Sequence, residues 1–341
     1  PHCPGTVSID WIKVQAVTPD IRRQKHREWQ GMALALIGVV IFAGTLPATR
    51  VAVAWFDPWW VGCARAIGAG ALGALTLWLT GSRRPDRVHW PAIGLTSAGV
   101  VLGFPLLTSV AMQVSPASHG AIVIALLPFA TALMAAWRLG ERKPARFWIG
   151  AALGSLVVLA FALHRGGGRP DLNDLILLAA VAAAALGYAE GGRLAGVFGG
   201  WQSISWALVA AAPVMLPATA WLSWNQSFSR APWSAWGAFA YVTVFSQWLG
   251  FLFWYGGMAR AGVAAASQVQ LLQLFFTLAI AAILLGEQVG WAEWITAAAV
   301  MGLILWGRMP ARSGRSGVAG QAPSPVESPT EDPAGARNNP G

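Results

Sequence analysis

An apolar run long enough to cross a bilayer, returning at a fixed distance, constrains this chain more than any other feature. Ser115 to Glu141 reads SPASHGAIVIALLPFATALMAAWRLGE, and its core, Ala117 to Leu139, carries only His119 and Arg138, both near its ends. A helix needs roughly 20 apolar residues to span the hydrocarbon layer, so this run predicts a transmembrane helix. Gly140 supplies a stop, and Glu141 and Pro144 open the next helix. The design returns from Ala261 to Glu287, AGVAAASQVQLLQLFFTLAIAAILLGE, 146 residues later and without a gap. Apolar identities such as Val123/Val269 count for little in alanine-rich helices. The Gly140-Glu141/Gly286-Glu287 and Trp148-Ile149/Trp294-Ile295 pairs count for more, and the chain reads as an internal duplication.

Composition excludes most soluble classes. Hydrophobic residues make up 56% of the chain and charged residues 11%, against about 25% charged in a soluble domain. The net charge is +9, but the basic residues sit in short loops beside apolar spans. They form no nucleic-acid patch; the expected partner surface is the lipid bilayer. Two cysteines, Cys3 and Cys63, exclude a disulfide framework and a cysteine zinc site, and neither metal nor cofactor is expected. Residues 1–30 form a polar lead with a basic cluster at Arg22, Arg23, Lys25 and Arg27. A cleaved signal peptide is the alternative, but the apolar stretch that follows is too long and lacks a clear cleavage site.

The hydrophobic pattern predicts an all-α membrane protein of ten transmembrane helices, near 31–51, 59–80, 90–112, 116–139, 146–164, 174–193, 201–222, 233–257, 263–285 and 291–308. The first repeat covers 31–164, a linker 165–173, and the second repeat 174–308. A tail from 309 to 341, rich in Pro, Ser, Gly and Ala, is expected to be disordered. Lys and Arg set the orientation. With the N-terminus inside, the inner side holds sixteen, including Arg83, Arg84, Arg142, Lys143 and Arg146, and the outer loops hold three, Arg165, Arg169 and Arg230. Both termini then face the cytoplasm of a bacterial inner membrane. Five spans per half invert the second repeat against the first, the architecture of secondary transporters.

Five plus five helices, each half ending in Gly-Glu before a Trp-containing last helix, resemble the EamA-type transporters of the drug/metabolite transporter superfamily. The resemblance covers about residues 31–308. It rests on Gly140-Glu141-Arg142 with Trp148, Gly286-Glu287 with Trp294, Pro47 in the first helix and Arg65 in the second. It implies a ten-helix carrier of the cytoplasmic membrane, often an exporter of amino acids, other metabolites or drugs. Members often carry a proline in the middle of both the fourth and ninth helices. Here Pro128 is present but its partner position is Leu274.

Candidate site residues follow from polarity at depth. Pro128, at the midpoint of helix four, is expected to kink it and free the carbonyl of Ile124; a packing kink is the alternative. Gln270, Gln273 and Thr277 lie at i, i+3 and i+7 on one face of helix nine, where amides must face the bundle or a cavity. Helix–helix glue competes with a substrate-binding role. Glu190 is the one carboxylate well inside a predicted span and a candidate proton carrier. The preferred reading is a snorkelling pair with Arg193, close to the span's inner end. Tyr188 would line the same route. Arg50 and Arg65 are placed near an outer vestibule, with Asp57 able to neutralise one of them. Arg65 is read mainly as structural, with attraction of carboxylates as the minority view. His119 reads as a satisfied polar residue. Gly68, Gly70 and Gly73 spell G-x-G-x-x-G, but inside an apolar span with no strand before it, so this is no dinucleotide loop. Gly99/Gly103, Gly150/Gly154 and Gly192/Gly196 have small-residue spacings that allow close helix contact. Tryptophans such as Trp59, Trp60, Trp90, Trp233 and Trp291 are expected to form an aromatic belt.

A secondary transporter is therefore the leading expectation, not an enzyme. The competing class is a membrane-embedded enzyme or lipid-handling protein, and a scaffold is the third. No H-E-x-x-H, G-x-S-x-G or G-x-x-x-x-G-K-[ST] motif is present. The expected site is a midplane cavity between helices four and nine, with apolar walls from Phe129, Phe275 and Phe276. It suits a small zwitterion or neutral polar metabolite, and a multiply charged substrate poorly, because no cation is expected at mid-depth. Proton coupling and homodimerisation stay open.

Overall fold

The computed structural model describes residues 11–140, 144–165, 171–224, 226–262, 266 and 269–308, and among these every regular element is helical. In chain order the helices are α1 (His26–Val53), α2 (Pro58–Leu79), α3 (Arg87–Ala111), α4 (Ala117–Arg138), α5 (Ala145–Phe161), α6 (Leu172–Phe198), α7 (Gly200–Trp224), α8 (Trp233–Ala261), α9 (Leu272–Leu285) and α10 (Trp291–Gly307). Seven are long and apolar enough to cross a membrane; α5, α9 and α10 are shorter apolar helices. The expected start of helix nine, the Glu141–Lys143 corner, most of the linker and the tail beyond 308 lie outside the described residues. The helix that becomes α1 already begins at Trp11, inside the stretch expected to be a polar tail.

Local signals explain the helix ends. Asp57 accepts the Trp60 N–H at 3.0 Å, and Pro58 fills the first turn of α2, where no amide is needed. This corrects the expectation that Asp57 neutralises an arginine. Gly140 and Gly286 close α4 and α9 in the left-handed region, at φ 69° and 63°, which glycine adopts without a Cβ clash. Helix α6 runs to Phe198, five residues beyond its expected end, and stops at Gly199. Arg193, the last residue of the expected span, lies within it. Paired with a carboxylate, that arginine does not interrupt the helix.

Structural interruptions repeat with the sequence. Helix α4 breaks at Ala125 and Leu126, and the helix leading into α9 breaks at Leu271. The 146-residue offset maps Ala125 onto Leu271. Wide π-helical turns occur at Ser97–Gly103 in α3 and Tyr241–Leu249 in α8, and the same offset maps 97–103 onto 243–249. Such turns need an identifiable cause and often sit at functional sites. The packing repeats as well. Helix α1 packs on the C-terminal part of α8 as α6 packs on α3, while α2 packs on α7, α4 on α9 and α5 on α10. Each pair maps onto itself or onto another pair when helices are shifted by five.

Small residues allow these approaches. A Cβ at Gly257 would come within 2.7 Å of Ala35 N, and one at Gly187 within 2.8 Å of Val100 N. Gly99 and Gly103 meet Ala183 of α6, Gly150 meets Leu303 and Gly307 of α10, and nothing approaches Gly154 or Gly196. Gly70 and Gly73, the false nucleotide motif, face Leu208 and Ser205 of α7. One aromatic assignment changes. Trp60 is buried, within 5.1 Å of both Phe56 and Phe228 and 4.9 Å of Phe239, in a cluster completed by Trp236. Its indole N–H donates to Ser223 Oγ at 2.9 Å. Trp233 and Trp291 are exposed at helix starts, as an aromatic belt requires.

Candidate functional site

The break in α4 and the break that leads into α9 border a cavity. Its lining includes Ala125 and Pro128 from α4, Leu46 from α1, and Gln270, Leu271, Gln273, Leu274 and Thr277 from the opposing segment. The structure therefore brings together four of the residues singled out by polarity. The helix is interrupted at Ala125 and Leu126, in the turn before Pro128, where a proline that cannot bond back to Ile124 is expected to break it. Pro128 then stands in the first turn of the helix Leu127–Leu139, where a missing N–H costs no internal bond. Gln270 is buried, and its Nε2 has no hydrogen-bond partner among the described residues. A buried amide left unmade costs about 1–3 kcal/mol, so this group favours an acceptor from outside the chain. Phe275 stacks on Trp294 and Phe129 sits against Phe147 and Trp148, so neither walls the cavity. Phe276 is exposed.

A second cavity adjoins the first, and Leu46, Ile124 and Gln273 border both. Tyr188 from α6, Arg65 from α2, Gln247 and Ser246 from α8, and Phe42, Phe104 and Phe251 line it. Tyr188 thus faces the α4/α9 region through Gln273 rather than the Glu190 route. Arg65 overturns its expected placement. It is 1% exposed, the eighth residue of a 22-residue helix, and no outer mouth surrounds it. Its Nη2 donates to Ser246 Oγ at 3.2 Å, and that hydroxyl lies 2.8 Å from Thr45 Oγ1. Its Nε and Nη1 have no partner among the described residues. A cation thus stands in the protein interior, where none was expected. The two cavities measure about 30 and 20 Å³, room for a water or two and no more.

Glu190 is 2% exposed at its side chain and eight residues from the end of α6. The Arg193 pair is present, with Nη2 to Oε2 at 3.1 Å. Arg138 of α4 adds a second, with Nε to Oε1 at 3.0 Å and Nη2 to Oε1 at 2.9 Å. The carboxylate is therefore a buried tie between α6 and the C-terminal end of α4, not a surface snorkel. Arg50 lies at the other end of α4. Its Nη1 donates to the Ser115 carbonyl, and its Nε is 3.5 Å from Glu287 Oε1. Glu287 in turn accepts the N–H groups of Ala117 and Ser118 at 2.8 and 2.9 Å. A carboxylate at a helix N-terminus satisfies orphan amides and complements the helix dipole. His119 donates from Nε2 to Asp174 Oδ1 at 2.6 Å and stacks on Phe161.

Sequence reasoning passed over three of these residues. Gln247 is the central residue of the 29-residue helix α8 and donates to the Val100 carbonyl at 3.1 Å. A lone amide in the middle of an apolar span was the signal that picked out Gln273, and it applies equally here. Ser246, the partner of Arg65, is its neighbour. The Arg138–Glu190 tie had no local signal, because its partners are 52 residues apart. Among the described residues no group of three or more His, Cys, Asp or Glu is placed to hold a metal ion.

Comparison with known proteins places the chain. The model of the EamA-like transporter family matches twice, over residues 29–163 and 172–306. "Uncharacterized transporter YdeK" of Bacillus subtilis (strain 168) is 45% identical over 272 residues, which cover 78% of this chain and 93% of that protein. A "Probable terminal-alkyne amino-acid exporter" of Streptantibioticus cattleyicolor is 25% identical over 252 residues, 74% of this chain and 84% of that protein. A crystal structure superposes with a TM-score of 0.61 over 82% of this chain and 96% of the other; at 17% identity it bears on the fold alone. Two family domains, transporter relatives and seven apolar helices of spanning length converge on a multi-pass membrane transporter, and the chain belongs to the EamA-like transporter family as a tandem duplication.

Proposed function

We propose that this transporter is secondary-active and exports a small metabolite, such as an amino acid or related compound, or a drug, by alternating access. In this reading its ten helices all cross the inner membrane as two five-helix repeats of opposite orientation, with both termini cytoplasmic. The observation that carries it is the cavity between two helices broken at matched positions. Interrupted helices at a repeat interface are where secondary transporters hold substrate, because freed backbone groups and buried amides there can bind what the lipid-facing surface cannot. The sixteen-to-three bias in basic residues supports the orientation. The amino-acid exporter among the relatives supports the substrate class.

Two measurements test this reading. Periplasm-active reporters fused near Asp57 should be active, and those near Arg84 or after Arg308 silent; an active fusion after Arg308 rules out the topology. The purified full chain in vesicles should move labelled amino acids when an ion gradient is imposed and no nucleotide is present. Movement that depends on ATP would overturn the secondary mechanism. Proton coupling is a weaker proposal, since Glu190 is held by two arginines. If it carries the proton, Glu190→Gln abolishes gradient-driven flux and leaves exchange intact.

A further inference from the structure

We propose that Arg65 is the counter-ion for a substrate carboxylate. This rests on the transporter reading above and names the chemistry its site selects.

Among the fully buried polar side-chain atoms at the two joined cavities, those without a partner among the described residues are all donors. Arg65 offers Nε–H and Nη1–H, and Gln270 offers its amide nitrogen. The ligand must therefore bring acceptors. A guanidinium buried in a membrane protein without a carboxylate is costly, and such groups pair with something. Among the described residues no acid pairs with Arg65. The acids that do enter the helix bundle, Asp174, Glu190, Glu287 and Glu293, are bound elsewhere, to His119, to Arg138 and Arg193, to the start of α4, and to the Gly290 N–H. The remaining charge at Arg65 thus awaits an anion. Ser246 Oγ, itself held by Thr45, takes one N–H of Nη2, and the N–H groups of Nε and Nη1 have no partner among the described residues. Free guanidinium N–H groups form their strongest hydrogen bonds with anionic oxygens such as those of a carboxylate.

The rest of the lining sets the other end of the ligand. Phe42, Phe104, Phe251, Leu46 and Leu127 surround the guanidinium with apolar surface. Gln273 stands between Arg65's cavity and the α4/α9 cavity and can reach a polar group on a ligand bridging both. The fit is to a monocarboxylate with an apolar side group, an amino acid included. A dianion would leave its second charge unmatched.

The test uses the purified full chain with four acids, L-leucine, L-methionine, L-phenylalanine and 4-methylpentanoate, each beside its carboxamide. Thermal stability reads binding, and vesicle flux reads transport. At least one acid should raise the melting temperature while its amide does not. Arg65→Gln should weaken that acid's affinity at least about tenfold, as the loss of a charge-assisted bond predicts, and Arg65→Lys should recover part of it. Arg65→Met tests the structural alternative. Removing an unpaired charge should hold or raise the melting temperature of the ligand-free protein. A clear fall would show that Arg65 is a structural tie and overturn the proposal. So would an amide that binds as well as its acid, an Arg65→Gln protein that responds like wild type, or no response to any of the acids. Binding without flux would sink the transporter reading and leave the carboxylate site standing. Flux equal for acid and amide would do the reverse.

Discussion

Helix α4 and the segment that leads into α9 break at positions 146 residues apart, yet only α4 has a proline beside the break; the matching residue before α9's core is Leu274. The same interruption on different residues shows that proline is not required for it. Both breaks lie where the two segments face each other across the cavity, and the π-turns of α3 and α8 repeat the pattern one helix earlier. The irregular backbone belongs to the repeat, and side-chain chemistry has since diverged around it. The first half keeps Pro128, Leu127 and Arg138, and the second keeps Leu274, Gln273 and Leu284. The α4 side is anchored by charge at both ends, while Leu284, the counterpart of Arg138, is exposed on the surface.

The largest expected effect attacks that anchoring. In Arg138→Leu/Arg193→Leu, Glu190 stays buried with neither partner, which should cost about 3–5 kcal/mol. Folded protein in detergent, measured by thermal melting, should fall sharply. Leu284→Ala, its counterpart at the lipid-facing end of α9, should change little. Equal behaviour would erase the distinction between the two helices.

Next is the amide that only one half carries. Gln273→Leu should weaken affinity for the transported compound by roughly ten- to a hundredfold, the equivalent of about 1–3 kcal/mol for a lost buried partner, with folding retained. Gln270→Leu should do less. Unchanged affinity with a lower melting temperature would make the glutamines interhelical glue.

The smallest effect concerns the break itself. Pro128→Leu copies the second half into the first. It should shift stability by less than about 1 kcal/mol, because the proline occupies a first-turn position that needs no amide, and flux should persist. Loss of all flux with a straightened α4 would mean that the proline holds the break after all.

Much of this was legible in the chain. Length and hydropathy placed the helices, because a helix that must bury its backbone in lipid leaves a run that cannot be mistaken. The repeat was legible in two Gly-Glu and two Trp-Ile pairs. Gln270, Gln273, Thr277 and Pro128 were found because polarity at mid-span has few meanings. Arg65 was misjudged because distance from a helix end was read as depth in the membrane. How α2 is seated among α7 and α8 decides its surroundings, and no local pattern encodes that. Glu190 was half read, since the partner at i+3 is written in the sequence and the one on α4 is not.

Glu287 has a consequence for how the molecule is made. It caps Ala117 and Ser118 from 170 residues further along the chain. At about 5–20 residues per second of synthesis, α4 leaves the ribosome roughly ten to thirty seconds before its cap exists. Through that interval its first amides must rely on water or lipid headgroups. The early half of the protein is therefore born with an unfinished helix, and a residue translated 170 positions later completes it.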